Sequence, residues 1–352
     1  MNLYYLGSAL NLSGLYMIAG CGALISIKSG DFNLGGEGQI YLGGFVSAVF
    51  LAKIGEILTG GAAGTDLSWG AAFFLLLLAL ALAFLASGVM ALLSAVLKIL
   101  RNADFLFTSF IASAAIIPFI DGLISGPARS QTENLLATPF IPRGARLPSI
   151  LRPSPLNASF IAAIALCAAL WFVMNRTSWG RKITDLGVSP EFARFAGFAG
   201  PSLGMSSAFI SGGMHGLCGA AAVLGTYFTC HQGFYNGSGW NAFSAALIAG
   251  ANPLALIPSS LFMGFVTTYA NRYALYNNFG FDISSLIQAV ILFVIAFPRP
   301  SVSALVEFAN NKRGGRTGNV ATRPHTMVEF ADTQRDGREL KVHLRTHRGG
   351  RK

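Results

Sequence analysis

Residues 69–97 read WGAAFFLLLLALALAFLASGVMALLSAVL, without a single Asp, Glu, Lys or Arg. A helix needs roughly 20 apolar residues to cross the hydrocarbon core of a bilayer, so this run is long enough to span it. Over the whole chain, hydrophobic residues make up 53% and charged residues 11%, against about 25% charged residues in a typical soluble domain. The sequence therefore predicts an all-α, polytopic transmembrane bundle.

Apolar runs elsewhere predict about nine helices in total, some of them broken or only partly spanning. The predicted ranges are 4–27, 39–54, 69–97, 104–123, 157–175, 202–225, 240–251, 254–272 and 282–297. The segment 240–251 is short for a spanning helix. We expect it to pair with 254–272 as a helix broken at Asn252-Pro253, because proline disfavours helical geometry in the residue before it.

The positive charge is concentrated at the C-terminus. Residues 299–352 hold 12 Lys and Arg against 5 Asp and Glu, whereas the preceding 298 residues hold 13 and 10. We predict a transmembrane domain over 1–298 and a basic, disordered cytoplasmic tail over 299–352. Such a tail could contact anionic membrane lipid. It also explains the basic balance without nucleic-acid binding.

Counting crossings back from the tail places residues 98–103 and 176–201 in the cytoplasm and the loop 124–156 outside. The outer loop is nevertheless basic. We predict that its arginines dock acidic patches on a soluble receptor, with an ordinary solvated loop as the alternative; they are Arg129, Arg143, Arg146 and Arg152.

A polar, glycine-rich segment, Lys28–Gln39, separates the first two helices. Irregular backbone at membrane depth survives only where protein buries it or where it lines a cavity. Glu37 either serves the N-terminus of its own helix or belongs to a broken helix beside a transport path. The predicted path residues are Asn33, Gly35, Glu37, Gly38, Gln39, Asn252 and Gln288.

The stretch Arg176–Pro201 is polar and lies between two long apolar segments. Ser189-Pro190-Glu191 has the pattern of a helix start, with a capping serine and proline at the first helical position. Phe192 and Phe195 follow at helical spacing. This short amphipathic helix either receives a soluble partner or lies on the lipid surface.

Enzymatic chemistry is not indicated. The sequence lacks a Walker A pattern and HExxH, and its four cysteines form no CxxC pair that would indicate a metal site. We predict no catalytic residue, no bound metal and no cofactor on this chain, so any ATP is used by another polypeptide.

Several motifs in order carry a family resemblance. Asp31-Phe-Asn-Leu-Gly-Gly-Glu-Gly-Gln39 resembles a signature of the inner-membrane permeases of ATP-binding-cassette importers for nucleosides, simple sugars and related molecules, which are sisters of the branched-chain amino acid permeases. Further matches are Arg176-Thr-x-x-Gly180, Asp185-Leu-Gly187 with Ser189-Pro190, Ala193-x-x-x-Gly197, Ser211-Gly-x-x-x-Gly216 and Ala245–Pro253.

The resemblance implies a multi-pass permease of the bacterial inner membrane that imports a nucleoside, or alternatively riboflavin or a simple sugar. Its implied partners are ATP-binding subunits carrying ATP and Mg, a second permease chain and a periplasmic or lipoprotein receptor. A self-sufficient channel or secondary transporter is the alternative. The implied contacts with the ATP-binding subunits are Arg176, Gly180, Arg181, Asp185, Gly187, Pro190, Ala193 and Gly197.

The chain departs from the family pattern at several positions. Thr184 and Ala251 stand where the family usually has arginine, and His215 and Cys218 occupy positions that are usually small. The family also usually has one helix before the first helix predicted here. These departures are those of a divergent member, such as one half of a heteromeric pair.

Overall fold

A computed structural model describes residues 3–59, 69–131, 134–277 and 283–296. Over these residues the regular structure is helical, with a single 3-10 turn at Arg143–Ala145 and a π-helical turn at Val223–Tyr227. The tail predicted over 299–352 lies outside the described residues. The α-helices are α1 (Leu3–Lys28), α2 (Gly36–Thr59), α3 (Trp69–Arg101), α4 (Phe105–Ser125), α5 (Ser159–Arg176), α6 (Ser178–Val188), α7 (Pro190–Phe195), α8 (Gly200–Ala222), α9 (Ser238–Ile248), α10 (Leu256–Tyr276) and α11 (Ile283–Ala296).

The predicted fold class is confirmed. Each of the nine predicted helices is present, and 176–201 adds two short ones, α6 and α7. Six helices within the described ranges are long and apolar enough to cross a membrane, namely α1, α2, α3, α4, α5 and α8. The predicted break between 240–251 and 254–272 is a turn over 249–255, between α9 and α10.

Helix α1 lies at the centre of the bundle. It is apolar on every face, as expected of a helix that protein surrounds, and α5, α8, α9 and α10 pack around it. A Cβ on Gly20 would lie 2.8 Å from Leu256, and one on Gly22 would lie 2.5 Å from the Ser211 carbonyl oxygen. The absence of side chains at these positions lets α10 and α8 approach α1.

Helix α8 is wedged between α2 and α3. A Cβ on Gly212 would lie 2.5 Å from the Ser87 carbonyl oxygen, and one on Gly219 would lie 1.8 Å from the Ile40 carbonyl oxygen. Inside lipid, helices associate through such close backbone approach. The small-residue pattern that begins at Ser211 is therefore a packing seam.

The bundle has two distinct ends. At one, which we call the coupling end, Lys98 forms an ion pair with Asp31, and Gly187 of α6 contacts Gly30. At the other, the loop end, the 126–158 loop bonds to the chain after α8. There Thr138 N–H donates to the Cys230 carbonyl oxygen at 2.9 Å. The 176–201 segment and the basic loop thus lie at opposite ends.

Candidate functional site

The chain between α1 and α2 is closed by a pair of side-chain amides. Asn33 Nδ2 donates to Gln39 Oε1 at 2.9 Å, and Gln39 Nε2 donates back to Asn33 Oδ1 at 3.1 Å. Asn33 Nδ2 also donates to Ser211 Oγ of α8 at 3.0 Å. Both amides are buried. These two predicted path residues therefore connect the chain between α1 and α2 to α2 itself and to α8.

The predicted glycines of the same segment pack against α4. Gly38 N–H donates to Ser113 Oγ at 2.7 Å, and a Cβ on Gly35 would lie 2.8 Å from the Ser109 carbonyl oxygen. Leu34 N–H donates to Ser109 Oγ at 3.1 Å. The α4 serines thus satisfy backbone groups that the broken helix leaves unpaired.

Glu37 links the starts of two helices. It stands in the first turn of α2, and its Oε1 accepts hydrogen bonds from the Gly239 and Trp240 amides at 2.8 and 3.1 Å. Helix α9 has glycine at its N-cap, Gly237, and therefore no capping side chain of its own. The carboxylate of α2 supplies that cap from 202 residues away. Negative charge is favoured at a helix N-terminus.

Glu37 also lines a small cavity of about 10 Å³. Its side chain is only 8% exposed, and no described residue offers Oε2 a hydrogen bond. Trp240 and Phe243 of α9 form the aromatic side of the cavity, and Phe32 meets Phe243 edge-on at 6.2 Å between ring centroids. A buried acceptor, aromatic surfaces and two helix starts therefore converge here.

The two remaining predicted path residues have different positions. Gln288 of α11 is buried, and its Oε1 lies 3.4 Å from the point where a Cβ on Gly237 would stand, beside the α9 start. Asn252 is exposed in the α9–α10 turn, where its Oδ1 accepts from Leu254 N–H at 3.1 Å. Gln288 thus lies beside the start of α9, whereas Asn252 lies in the turn that follows α9.

Other functional candidates carry no recognisable motif. Tyr41 Oη donates to Asp121 Oδ1 at 2.5 Å, joining α2 to α4. Trp240 follows a glycine-rich turn, which is the sole local hint of its role. His215 is buried, and its Nδ1 lies 2.8 Å from the Ser211 carbonyl oxygen. The His215 side chain thus bonds to the backbone of its own helix, α8.

At the coupling end, α6 and α7 each begin with their own cap. Thr177 Oγ1 accepts from Gly180 N–H and Ser189 Oγ accepts from Phe192 N–H, both at 3.2 Å. Pro190 occupies the first turn of α7, as predicted. The sequence predicted α7 but not α6 as a separate helix.

Gly187 fixes α6 against the end of α1. A Cβ there would lie 2.1 Å from the Lys28 carbonyl oxygen and 2.8 Å from the Gly30 nitrogen. Gly30 adopts a φ of +80°, where the chain turns out of α1. Trp179 Nε1 donates to Ser206 Oγ of α8 at 3.2 Å. The segment thus contacts both the central helix and α8.

The outer surface of α6–α7 is apolar at its tip and basic around it. Phe195 is 93% exposed and Val188 is 82% exposed, with Phe192 beside them. Of the remaining predicted contact residues, Ala193 and Gly180 are buried and Asp185 is half-buried. The others are exposed, and they are Arg176, Arg181, Pro190 and Gly197.

The four loop arginines do not share one environment. Arg129, Arg143 and Arg152 are exposed. Arg146 is half-buried, with its guanidinium 4.5 Å from the Phe228 ring centroid and Nη2 donating to the Ile141 carbonyl oxygen at 3.2 Å. Burial lowers the pKa of Arg146, and the neighbouring charge of Arg143 adds to this effect. Arg146 fastens the loop, whereas the other three present charge.

Comparison with known proteins supplies the family. Residues 5–296 match the family described as the permease component of the branched-chain amino acid transport system. A protein named "Probable riboflavin import permease protein RfuC" in Treponema pallidum is 32% identical over 83% of this chain and 74% of its own length. The guanosine ABC transporter permease protein NupP of Bacillus subtilis is 23% identical over 84% of this chain and 81% of its own.

A glucose ABC transporter permease protein, TsgB13 of Haloferax volcanii, is 26% identical over 79% of this chain and 73% of its own length. No solved structure matches this chain. The matched family consists of permeases without an ATPase domain, which excludes ATP hydrolysis by this chain and favours an importer subunit over a self-sufficient channel. The chain therefore belongs to the branched-chain amino acid permease family, as a multi-pass permease component of an ATP-binding-cassette importer.

Proposed function

We propose that this chain is one of two permease subunits of an importer that carries a heterocyclic solute across the bacterial inner membrane by alternating access. Motifs alone ranked nucleosides first. The chain is more similar to a riboflavin permease than to the guanosine and glucose permeases, which supports riboflavin as the first candidate. Nucleosides remain the second candidate because two guanosine permeases of Bacillus subtilis, NupP and NupQ, are both relatives.

The contact between Gly187 and the end of α1 carries the proposal. It joins the exposed α6–α7 segment to residues 28–30, directly before the break at Asp31–Gly35. Helix α2 begins at Gly36, three residues after Asn33 of the amide pair. The next residue, Glu37, bonds to the start of α9. A push on α6–α7 from an ATP-binding subunit would therefore reach the two helix starts through a short, packed path. A rocking bundle needs such a connection, because a partner acts only through contacts that differ between its states.

The partners follow from the two ends of the bundle. ATP-binding subunits, which hold ATP and Mg, would contact the apolar tip of α6–α7. A receptor that delivers solute would dock at the loop end, where Arg129, Arg143 and Arg152 are exposed. The second permease subunit is either another copy of this chain or a related chain.

The test is reconstitution of the chain in proteoliposomes with its ATP-binding subunits, permease partner and receptor. We expect ATP-dependent accumulation of labelled riboflavin, with guanosine the next solute to assay and glucose the third. Omitting the ATP-binding subunits should abolish accumulation. Uptake by this chain alone, at the same rate with and without ATP, would contradict the proposal and support a channel or secondary transporter.

A further inference from the structure

We propose that the second carboxylate oxygen of Glu37, Oε2, binds a hydrogen-bond donor on the transported solute. This inference rests on the proposed function and specifies where in the bundle the solute is recognised. It makes Glu37 a solute-binding residue in addition to the cap of α9.

The cap accounts for only half of the carboxylate. Oε1 accepts from the Gly239 and Trp240 amides, and the Gly237 amide also acts on the carboxylate, whereas Oε2 is buried without a hydrogen bond from any described residue. Buried polar atoms are nearly always paired, so an exception calls for a reason. A glutamine side chain would make the same two cap hydrogen bonds with its one carbonyl oxygen, without the charge that favours a helix N-terminus. Capping therefore does not explain the second acceptor.

The neighbouring polar side chain cannot serve instead. Asn33 also lines the cavity, but Nδ2 already donates to Gln39 and Ser211, and Oδ1 accepts from Gln39 and from Gly35 N–H. An amide has two donor hydrogens and one acceptor oxygen, and here all of them are engaged. A solute donor that reaches this place would be received by Glu37.

The size of the cavity and the side chains that line it indicate which part of a solute it would bind. The cavity of about 10 Å³ has room for roughly one water-sized group, such as a single N–H or O–H. Trp240, Phe243 and Phe32 beside it keep part of their surface exposed. Aromatic rings offer flat apolar faces. The site thus fits the donor edge of a flat solute that lies against these rings, whether a heterocycle with a ring N–H or a sugar with a hydroxyl.

The test compares Glu37→Gln with wild type in the complete reconstituted importer. The glutamine keeps the α9 cap but turns the second oxygen into a donor. Uptake of the transported solute should fall about tenfold or more, since a lost hydrogen bond to a charged group has an effect of that order. The thermal unfolding midpoint should stay close to wild type. Glu56→Gln, an exposed change on the same helix, is the matched control and should retain wild-type uptake.

A chemical change on the solute isolates the bond itself. Riboflavin, guanosine and glucose are each compared with an analogue whose donor is methylated. Wild type should transport the blocked analogue of its solute about tenfold more slowly, and Glu37→Gln should largely lose this discrimination. Because the receptor is the same in both importers, the difference between them reports the Glu37 contact. The solute that shows the difference identifies the source of the donor.

Two results would overturn the inference. One is wild-type uptake and discrimination by Glu37→Gln. The other is a fall in uptake that comes with unfolding of the Gln variant and with unchanged discrimination, which would assign Glu37 to structure alone. Failure of the wild-type importer to take up any of these solutes in an ATP-dependent manner would instead refute the proposed function.

Discussion

The helices at the coupling end and the helix at the cavity begin in different ways. Helices α6 and α7 are capped by Thr177 and Ser189, the residues directly before them. Helix α9 is capped by Glu37, which belongs to another helix. The first pair is largely exposed, and the second junction is buried. The caps of α6 and α7 therefore come from the segment itself, whereas the cap of α9 requires the position of α2.

Under the proposed function, this difference in capping gives each region a separate role in transport. A segment that stabilises itself can transmit a push as a unit. The junction between α2 and α9 can respond to that push, because moving the two helices apart breaks the hydrogen bonds between Glu37 and the α9 amides. The connection between the two regions is the contact of Gly187 with residues 28–30. The following predictions test each part in turn, beginning with this contact.

Changing Gly187→Ala should have the largest effect. The new Cβ would lie 2.1 Å from the Lys28 carbonyl oxygen, and backbone atoms cannot yield as a flexible side chain does. We expect about 1–3 kcal/mol of destabilisation and at least about a tenfold loss of ATP-driven uptake. Gly204→Ala is the control, because its Cβ would stand 3.8 Å from Asp31. Equal uptake by the two variants would contradict the role of this contact.

Removing the α9 cap with Glu37→Ala should come next. Both bonds to Gly239 and Trp240 are lost, and losing a helix cap costs about 1–2 kcal/mol. Thermal unfolding in detergent should show the loss, and hydrogen exchange should quicken at these two amides. Glu56→Ala should change neither. Slow exchange at both amides in the Glu37 variant would show that α9 does not depend on α2.

The exposed tip should matter for assembly and little for folding. Phe195 is 93% exposed, so Phe195→Ser should leave the unfolding midpoint unchanged. A buried interface aromatic often contributes more than about 1 kcal/mol, so we expect the ATP-binding subunits to bind about five- to tenfold more weakly in a pull-down titration. Leu275→Ser, at an exposed position of α10, is the control. Undiminished binding of the ATP-binding subunits to the Phe195 variant would show that they do not contact this tip.

Ser189→Ala tests the locally capped region. It removes the bond to Phe192 N–H and should weaken α7 by about 1 kcal/mol. Because α7 is short and exposed, hydrogen exchange should rise within 190–195 while the global midpoint stays the same. A drop in the global midpoint as large as that of Glu37→Ala would remove the distinction between the two kinds of helix start.

The smallest effect should come from charge at the loop end. Reversing Arg129, Arg143 and Arg152 to Glu, with Arg146 kept, should slow receptor association a few-fold at low salt, and the difference should vanish at high salt. Surface plasmon resonance across salt concentrations measures this. Adding Arg146→Glu should also destabilise the loop, because that side chain contacts Phe228 and Ile141. Association of the triple variant at the wild-type rate at every salt concentration would leave these residues as an ordinary solvated loop.

Local features of the molecule could be predicted from sequence, because neighbouring residues determine them. The Ser189-Pro190 start of α7, the break before α2 and the turn near Asn252-Pro253 all depend on the residues at hand. Helix α6 was not predicted separately, although Trp179, Ile183 and Leu186 recur there at helical spacing.

Pairings across the chain could not be predicted. Glu37 meets Gly239 over 202 residues, and Asn33 meets Ser211 over 178. Which residues face one another depends on how α8 and α9 settle against α1 and α2, and no local pattern encodes that. Arg146 shows the same limit. The sequence grouped it with three arginines that are exposed, whereas in the structure its side chain packs against Phe228.

The proposed function requires that a push on α6–α7 opens the junction between Glu37 and α9. Hydrogen exchange at the Gly239 and Trp240 amides, measured in the complete importer with and without trapped ATP, tests it most directly. We predict faster exchange at both amides when ATP is trapped, and no such change in the Gly187→Ala importer. Equal exchange in the two nucleotide states of the wild type, or the same acceleration in the variant, would contradict the claim.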